Sequence, residues 1–175
     1  QSVASVSPLG FRTTSVYDAV GRIVSRVDAL GNTNQSLFDA AGRYLAGINA
    51  LGYRTTYAHD PVGNVVSVLN ARGYVSTTVY DALNRTEAAE DALGYRTSYA
   101  YDAVGNNLEI LDARGAVITM AYTARDEMAT IEDALGFITT YAFGALGQRA
   151  TRQFPSGDVT SYAYDPLQRL TTVAY

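Results

Sequence analysis

The chain contains no cysteine and no tryptophan. Without thiols it can build neither a disulfide framework nor a thiolate metal site. Lysine is missing as well, so all 13 cations are arginines. A planar guanidinium suits stacking on rings and paired contacts to carboxylates. Charged residues make up only 17% and the net charge is −4. Such a mildly acidic surface has no long-range attraction for nucleic acid or anionic membrane. No apolar run approaches the roughly 20 residues that span a bilayer. The opening stretch from Gln1 to Gly10 is short, mixed and uncharged, unlike a signal peptide. Phosphate-cradling glycine loops, metal-ligand spacings and basic nucleic-acid patches are absent too.

What is present points to strands. Tyrosine (14), glycine (15) and threonine are abundant, and 47% of the 175 residues are hydrophobic. That is enough for one sizeable folded unit. Tyrosine and threonine favour strands, and glycine punctuates them.

One period fits the whole chain. The glycine of the motif Asp-Ala-Leu-Gly recurs at Gly10, Gly31, Gly52, Gly73, Gly94, Gly115, Gly136 and Gly157, always 21 residues apart. Seven residues later comes a ring: Tyr17, Phe38, His59, Tyr80, Tyr101, Tyr122, Phe143 and Tyr164. Eight copies without an insertion mark a repeat architecture.

Two turn signals cut each copy. The first is Asp18-Ala19-Val20-Gly21, with Asp39, Asp60, Asp81, Asp102 and Asp165 at the leading position of later copies. The second is Asp28-Ala29-Leu30-Gly31 and its equivalents. The leading aspartate can accept bonds from turn N–H groups, and the closing glycine supplies a positive φ. Asn84, Asp126 and Gln168 replace the glycine of the first turn. Asparagine and aspartate tolerate the left-handed region; glutamine fits it poorly. The stretches Thr123–Glu127 and Phe154–Gly157 depart from the consensus.

Between turns lie segments of about seven residues, such as Tyr53–His59 and Asn64–Leu69, rich in Val, Thr, Tyr and Ile and free of proline. They predict two antiparallel strands per repeat. Helices do not fit between glycines so closely spaced. The expected fold is all-β: tandem 21-residue β-hairpin repeats in a long coiled antiparallel sheet, a spiral shell or fibre wall. About 17 strands at ~4.8 Å would give roughly 80 Å of sheet, and so many strands do not stay open and uncurled. One strand face carries Tyr53, Tyr57 and His59, or Tyr95, Tyr99 and Tyr101; the other carries Arg54, Thr56 and Ala58, or Arg96, Ser98 and Ala100. Rings of consecutive copies are expected to stack into ladders on the better buried face. Residues 1–7 and 169–175 each match the second strand of a copy. The chain, 1–175, therefore reads as a single array cut from a longer one.

The element Tyr17-Asp18-Ala19-Val20-Gly21-Arg22 resembles the signature of YD, or Rhs, repeats. Variants stand at Phe38–Arg43 and at Tyr80-Asp81-Ala82-Leu83-Asn84-Arg85. The period and the Gly-x-x-Thr ahead of the signature match as well. The resemblance implies long spiralling sheets that close into hollow shells, as in insecticidal toxin complexes, polymorphic toxins, wall-associated proteins and teneurins. It implies a structural scaffold, secreted or on the bacterial surface, that can enclose a toxin domain. The family's shell proteins carry a plug motif with Asp-Pro pairs; Asp60-Pro61 and Asp165-Pro166 fall in ordinary repeat turns and are not that motif.

No catalytic constellation emerges, and neither an enzyme nor a cofactor is expected. His59 is the lone histidine and takes a position that other copies fill with Tyr or Phe. It reads as a ring among rings rather than a general base. The aspartates line two edges. Same-edge neighbours are two strands apart, ~9.6 Å, too far for one calcium ion to bridge; turn capping explains them better. The repeat signature is therefore structural: Tyr17, Asp18, Gly21, Gly31, Gly52, Gly73, Tyr80, Asp81, Gly94, Tyr101, Asp102, Gly115, Gly136, Gly157, Tyr164 and Asp165. Expected partners are flanking repeats or other copies joined end to end, with an enclosed toxin domain or surface glycans beyond them. The alternative function is a carbohydrate- or cell-binding adhesion module that uses exposed Tyr and Arg.

Overall fold

The computed structural model describes all of residues 1–175: seventeen strands, no helix, and hence no helix able to cross a membrane. Two compact units divide the chain. The first, Gln1–Gly94, holds β1 (Ser2–Val6), β2 (Arg12–Tyr17), β3 (Ile23–Val27), β4 (Thr33–Phe38), β5 (Tyr44–Ile48), β6 (Arg54–His59), β7 (Val65–Leu69), β8 (Val75–Tyr80) and β9 (Thr86–Glu90). The second, Tyr95–Tyr175, holds β10 (Arg96–Tyr101), β11 (Asn107–Leu111), β12 (Val117–Tyr122), β13 (Met128–Glu132), β14 (Ile138–Phe143), β15 (Arg149–Gln153), β16 (Val159–Tyr164) and β17 (Leu170–Ala174).

Within each unit every strand pairs antiparallel with its neighbours in the chain. The meander follows from the turns, which are too short for any crossover. The strands run one residue shorter at the start than the sequence suggests. Tyr53 and Asn64 belong to the turns, where their carbonyls accept from the N–H of Asn49 and Asp60.

Each first-turn hairpin carries a register shift. Val16 faces Ser25, but Tyr17 faces Ile23, so Val24 is left over. The same slip leaves Leu45 over between β4 and β5 and Val66 between β6 and β7. Such a bulge flips the following residues by one step. It brings both ends of the second strand, Tyr44 and Gly47 for example, to the face that carries Phe38 and Tyr57.

No large side chain is fully buried. Tyr57, His59, Tyr99 and Tyr101 are half-buried, while Arg54, Ala58, Arg96 and Ala100 opposite are exposed. Tyr53 and Tyr95, just outside the strands, are exposed as well. The wholly buried alanines, Ala46 and Ala88, lie on the face opposite the rings; Ala46 sits between its cross-strand partners Leu37 and Thr56.

The ring ladders differ from expectation. Equivalent rings are two strands apart, ~9.6 Å, beyond the 4.5–7 Å at which rings interact. A residue on the intervening strand bridges rings of neighbouring copies instead. Tyr44 on β5 stands edge-on to Phe38 on β4, with centroids 5.8 Å apart, and tilted against Tyr57 on β6 at 5.3 Å. The same repeat position on β15 is Arg149, which lies over Tyr141 at 5.1 Å and Tyr162 at 5.8 Å. The ladder thus alternates ring, bridge, ring. The arginines enter it through cation–π contacts.

Candidate functional site

The repeat signature lies in the turns, and its geometry explains its spelling. In the turn after β2, the carbonyl of Asp18 accepts from Gly21 N–H at 3.3 Å, and Asp18 N–H donates to the carbonyl of Arg22 at 2.9 Å. Gly21 closes the turn with φ +85°. The Asp18 side chain divides its two oxygens. Oδ1 accepts from the N–H of Val20 (3.0 Å) and of Arg22 (2.9 Å); Oδ2 accepts from Arg22 Nε at 2.7 Å. One carboxylate thus caps the turn and clamps the arginine four residues on. Arg43 with Asp39, Arg85 with Asp81 and Arg169 with Asp165 do the same. Where asparagine replaces arginine, its amide takes over: Asn64 Nδ2 donates to Asp60 Oδ2 at 2.8 Å, and Asn106 Nδ2 to Asp102 Oδ2 at 2.9 Å.

The second turns use the same cap with fewer clamps. Asp28 accepts from Leu30 and Asn32 N–H, and Asn49 from Leu51 and Tyr53 N–H. Asp133 caps Leu135 and Phe137 likewise. Among the remaining signature glycines, Gly31, Gly52, Gly73, Gly94, Gly115, Gly136 and Gly157 all close second turns. The rings Tyr17, Tyr80, Tyr101 and Tyr164 end the strands just ahead of the first turns.

The turns that break the consensus keep their shape by other means. Thr123 Oγ1 accepts from the N–H of Arg125 and Glu127 at 3.2 and 3.3 Å. Asp126 and Gln168 stand at φ 61° and 63° in place of glycine. The turn at Phe154 has no carboxylate cap, and the backbone bond from Gly157 N–H to the Phe154 carbonyl holds it at 2.9 Å.

Consecutive first turns are also stitched together. Beyond its clamp, Arg43 Nη1 donates to the carbonyl of Asp60, in the next repeat, at 2.6 Å. Asn64 Nδ2 reaches Asn84 Oδ1 at 2.9 Å, and Asn106 Nδ2 reaches Asp126 Oδ1 at 3.0 Å. Arg125 donates to the carbonyls of Gly144 and Ala145 at 2.8 and 2.7 Å. Arg22 instead leans over Phe38, 4.4 Å from its centroid. The sequence contained these arginines as part of the signature, but their reach into the next copy depends on strand spacing.

The electrostatics follow. Asp18, Asp39, Asp81, Asp112 and Asp165 are held below the ordinary carboxylate range, first by backbone N–H donors, such as Arg22 N–H at Asp18. Asp28 is lowered first by the Asn32 amide. For Asp60 and Asp102 partial desolvation is the largest single influence and pushes upward, but the combined donors of Asn64 and Asn106 and the turn amides outweigh it. The oxygens of these carboxylates are spent within their own turns. No group of three or more His, Asp or Glu is placed to hold a metal ion. His59 sits at the end of β6 opposite Val65.

The family model described as RHS Repeat matches residues 38–75 and 80–117. Both stretches match Rhs repeats. Each matched stretch begins at the signature ring, Phe38 or Tyr80, and runs through the clamped turn. Among curated proteins none matches the chain. Among solved structures, the crystal structure of TcdB2-TccC3-TEV superposes with a TM-score of 0.72 at 16% identity, over 98% of this chain and 10% of that one. That of TcdB2-TccC3-Cdc42 superposes with 0.51 at 15% identity, over 97% and 13%. The chain thus shares their fold and spans about a tenth of their length. The clamped aspartate accounts for the Rhs signature in physical terms: ring, cap, two turn residues, left-handed closure, clamp.

Proposed function

We propose that the chain is a wall segment of a bacterial Rhs-repeat protein that works outside the cell, secreted or at the surface. Residues 1–175 form one array that continues in a longer parent chain. In that parent the sheet coils into a shell or a fibre, and the shell form encloses a toxin domain. The role is mechanical rather than catalytic. The observation that carries this reading is how the turn edges use their polar groups. The Asp39 carboxylate caps its own turn while its clamp Arg43 reaches the next first turn along the edge, and the Asn64 and Asn106 clamps reach onward in the same way. The chemistry is spent on stacking one hairpin on the next, as a solenoid needs. The fold shared with TcdB2-TccC3-TEV supports the same reading.

Limited proteolysis of the full-length parent tests it. The expected result is a protein recovered from the medium or the cell surface, with one domain outside the repeats resistant to protease until the sheet is unfolded. A parent retained in the cytoplasm, with all its domains cut at the same rate, would contradict both location and enclosure.

A further inference from the structure

Gly47 is out of phase with every other glycine of the first unit. It lies in mid-strand on β5, outside both turn positions, with φ outside the left-handed region. On the ring face it pairs with Ser36 on one side and Thr55 on the other. The row Ser36–Gly47–Thr55 therefore offers two small side chains flanking a bare backbone position. The rows to either side are fuller: Ser15–Arg26–Asn34 and Tyr57–Val68–Ser76. Where β7 presents Val68, β5 presents nothing.

The gap is a depression of about 660 Å³, within the range of small-molecule sites. Tyr44 leans into it so far that a Cβ on Gly47 would collide with its hydroxyl. Tyr44 and Tyr57 form one wall, with Tyr44 packed against both Tyr57 and Phe38. Tyr53 stands at the mouth, 57% exposed. Asn34, Ser36 and Thr55 line the floor with donors and acceptors that no protein group uses, and Arg72 lies at the lip without a carboxylate partner. No Asp or Glu lines the depression.

We propose that this depression is a carbohydrate subsite that takes a neutral hexopyranoside. A pyranose has C–H faces that pack on the electron-rich faces of tyrosine rings and a rim of hydroxyls that need paired donors and acceptors. Tyr53 and Tyr57 supply the first; Asn34, Ser36, Thr55 and Arg72 supply the second. The absence of carboxylates disfavours cationic ligands. The site deepens the adhesion alternative and does not depend on the wall reading, which needs no ligand.

An array of neutral hexopyranosides and N-acetylhexosaminides, probed with the whole 175-residue chain, tests it. The strongest binder is then titrated against three variants. Gly47→Val puts there the residue that β7 already carries, in a strand that favours it, and pushes the Tyr44 hydroxyl out of its place. Tyr53→Ala removes a ring with little burial to lose. Tyr74→Ala removes a ring that is 50% exposed and does not line the depression. The expected result is binding by the native chain that weakens about tenfold or more in Gly47→Val and Tyr53→Ala and persists in Tyr74→Ala. Circular dichroism melts should show all three folded. A blank array overturns the subsite and leaves the wall reading untouched. Undiminished binding by folded Gly47→Val, or equal losses from Tyr53→Ala and Tyr74→Ala, also overturns it.

Discussion

At the scale of single residues, the turn closure decides what a position tolerates. Gly52 stands at φ +81° with nothing within 4 Å of a built Cβ. A side chain there meets no neighbour, so any cost is backbone strain. Gly52→Val should lose about 1–2 kcal/mol, and Gly52→Asn much less, because asparagine enters the left-handed region more readily. Thermal melts of the two variants check this; equal losses would mean that packing, not φ, controls the site. Gln168 gives the reverse case. It holds φ 63° without being glycine. Gln168→Gly relieves about 1–2 kcal/mol of strain and gives back roughly 0.5–1 in chain entropy. A small rise in melting temperature is the expected outcome.

At the scale of the hairpin, stability depends on how each carboxylate is used. The capping aspartates titrate below their unfolded value, so their contribution is fully present above pH ~3.9 and is lost as pH falls through the lower folded value. Melting temperature should therefore be flat at neutral pH and fall steeply below about pH 4. A protein whose melting temperature holds steady down to pH 2 would refute the capping account. The clamps are unequal. Arg43 bonds both Asp39 and the next repeat, whereas Arg169, more exposed, bonds Asp165 alone. Arg43→Ala should lower the melting temperature more than Arg169→Ala. The hairpins themselves were legible because turn chemistry is local: Asp18 through Arg22 contain both the cap and the clamp. What lay across the strands was not legible. Rings 21 residues apart look like stacking partners in sequence, but Arg149 on the strand between Tyr141 and Tyr162 makes the contact, and Tyr44 joins Phe38 to Tyr57 rather than to the equivalent His59. The extra residue of each bulge, such as Val24, sets which side chains share the ring face, and only the paired register reveals it. Gly47 did leave a signal, as a glycine outside the 21-residue phase, but its consequence depends on the partners Ser36 and Thr55.

At the scale of the whole molecule, the repeats work only through their neighbours. Within each unit, consecutive strands pair with one another, and no large side chain is fully buried. The terminal strands β1 and β17 are exposed at every residue and pair on one side alone. Neither holds a charged residue or a proline, the usual protections of a sheet edge. An array built for extension should use those edges, and the contact between the last strand of one copy and the first of another would be heterologous and would not close by symmetry. Light scattering on the isolated chain over a concentration series, with hydrogen exchange on the terminal strands, tests this most directly. The account predicts end-to-end association that grows with concentration, with Ser2–Val6 and Leu170–Ala174 becoming protected as it does. A monomer at every concentration, with both terminal strands already protected, would contradict it.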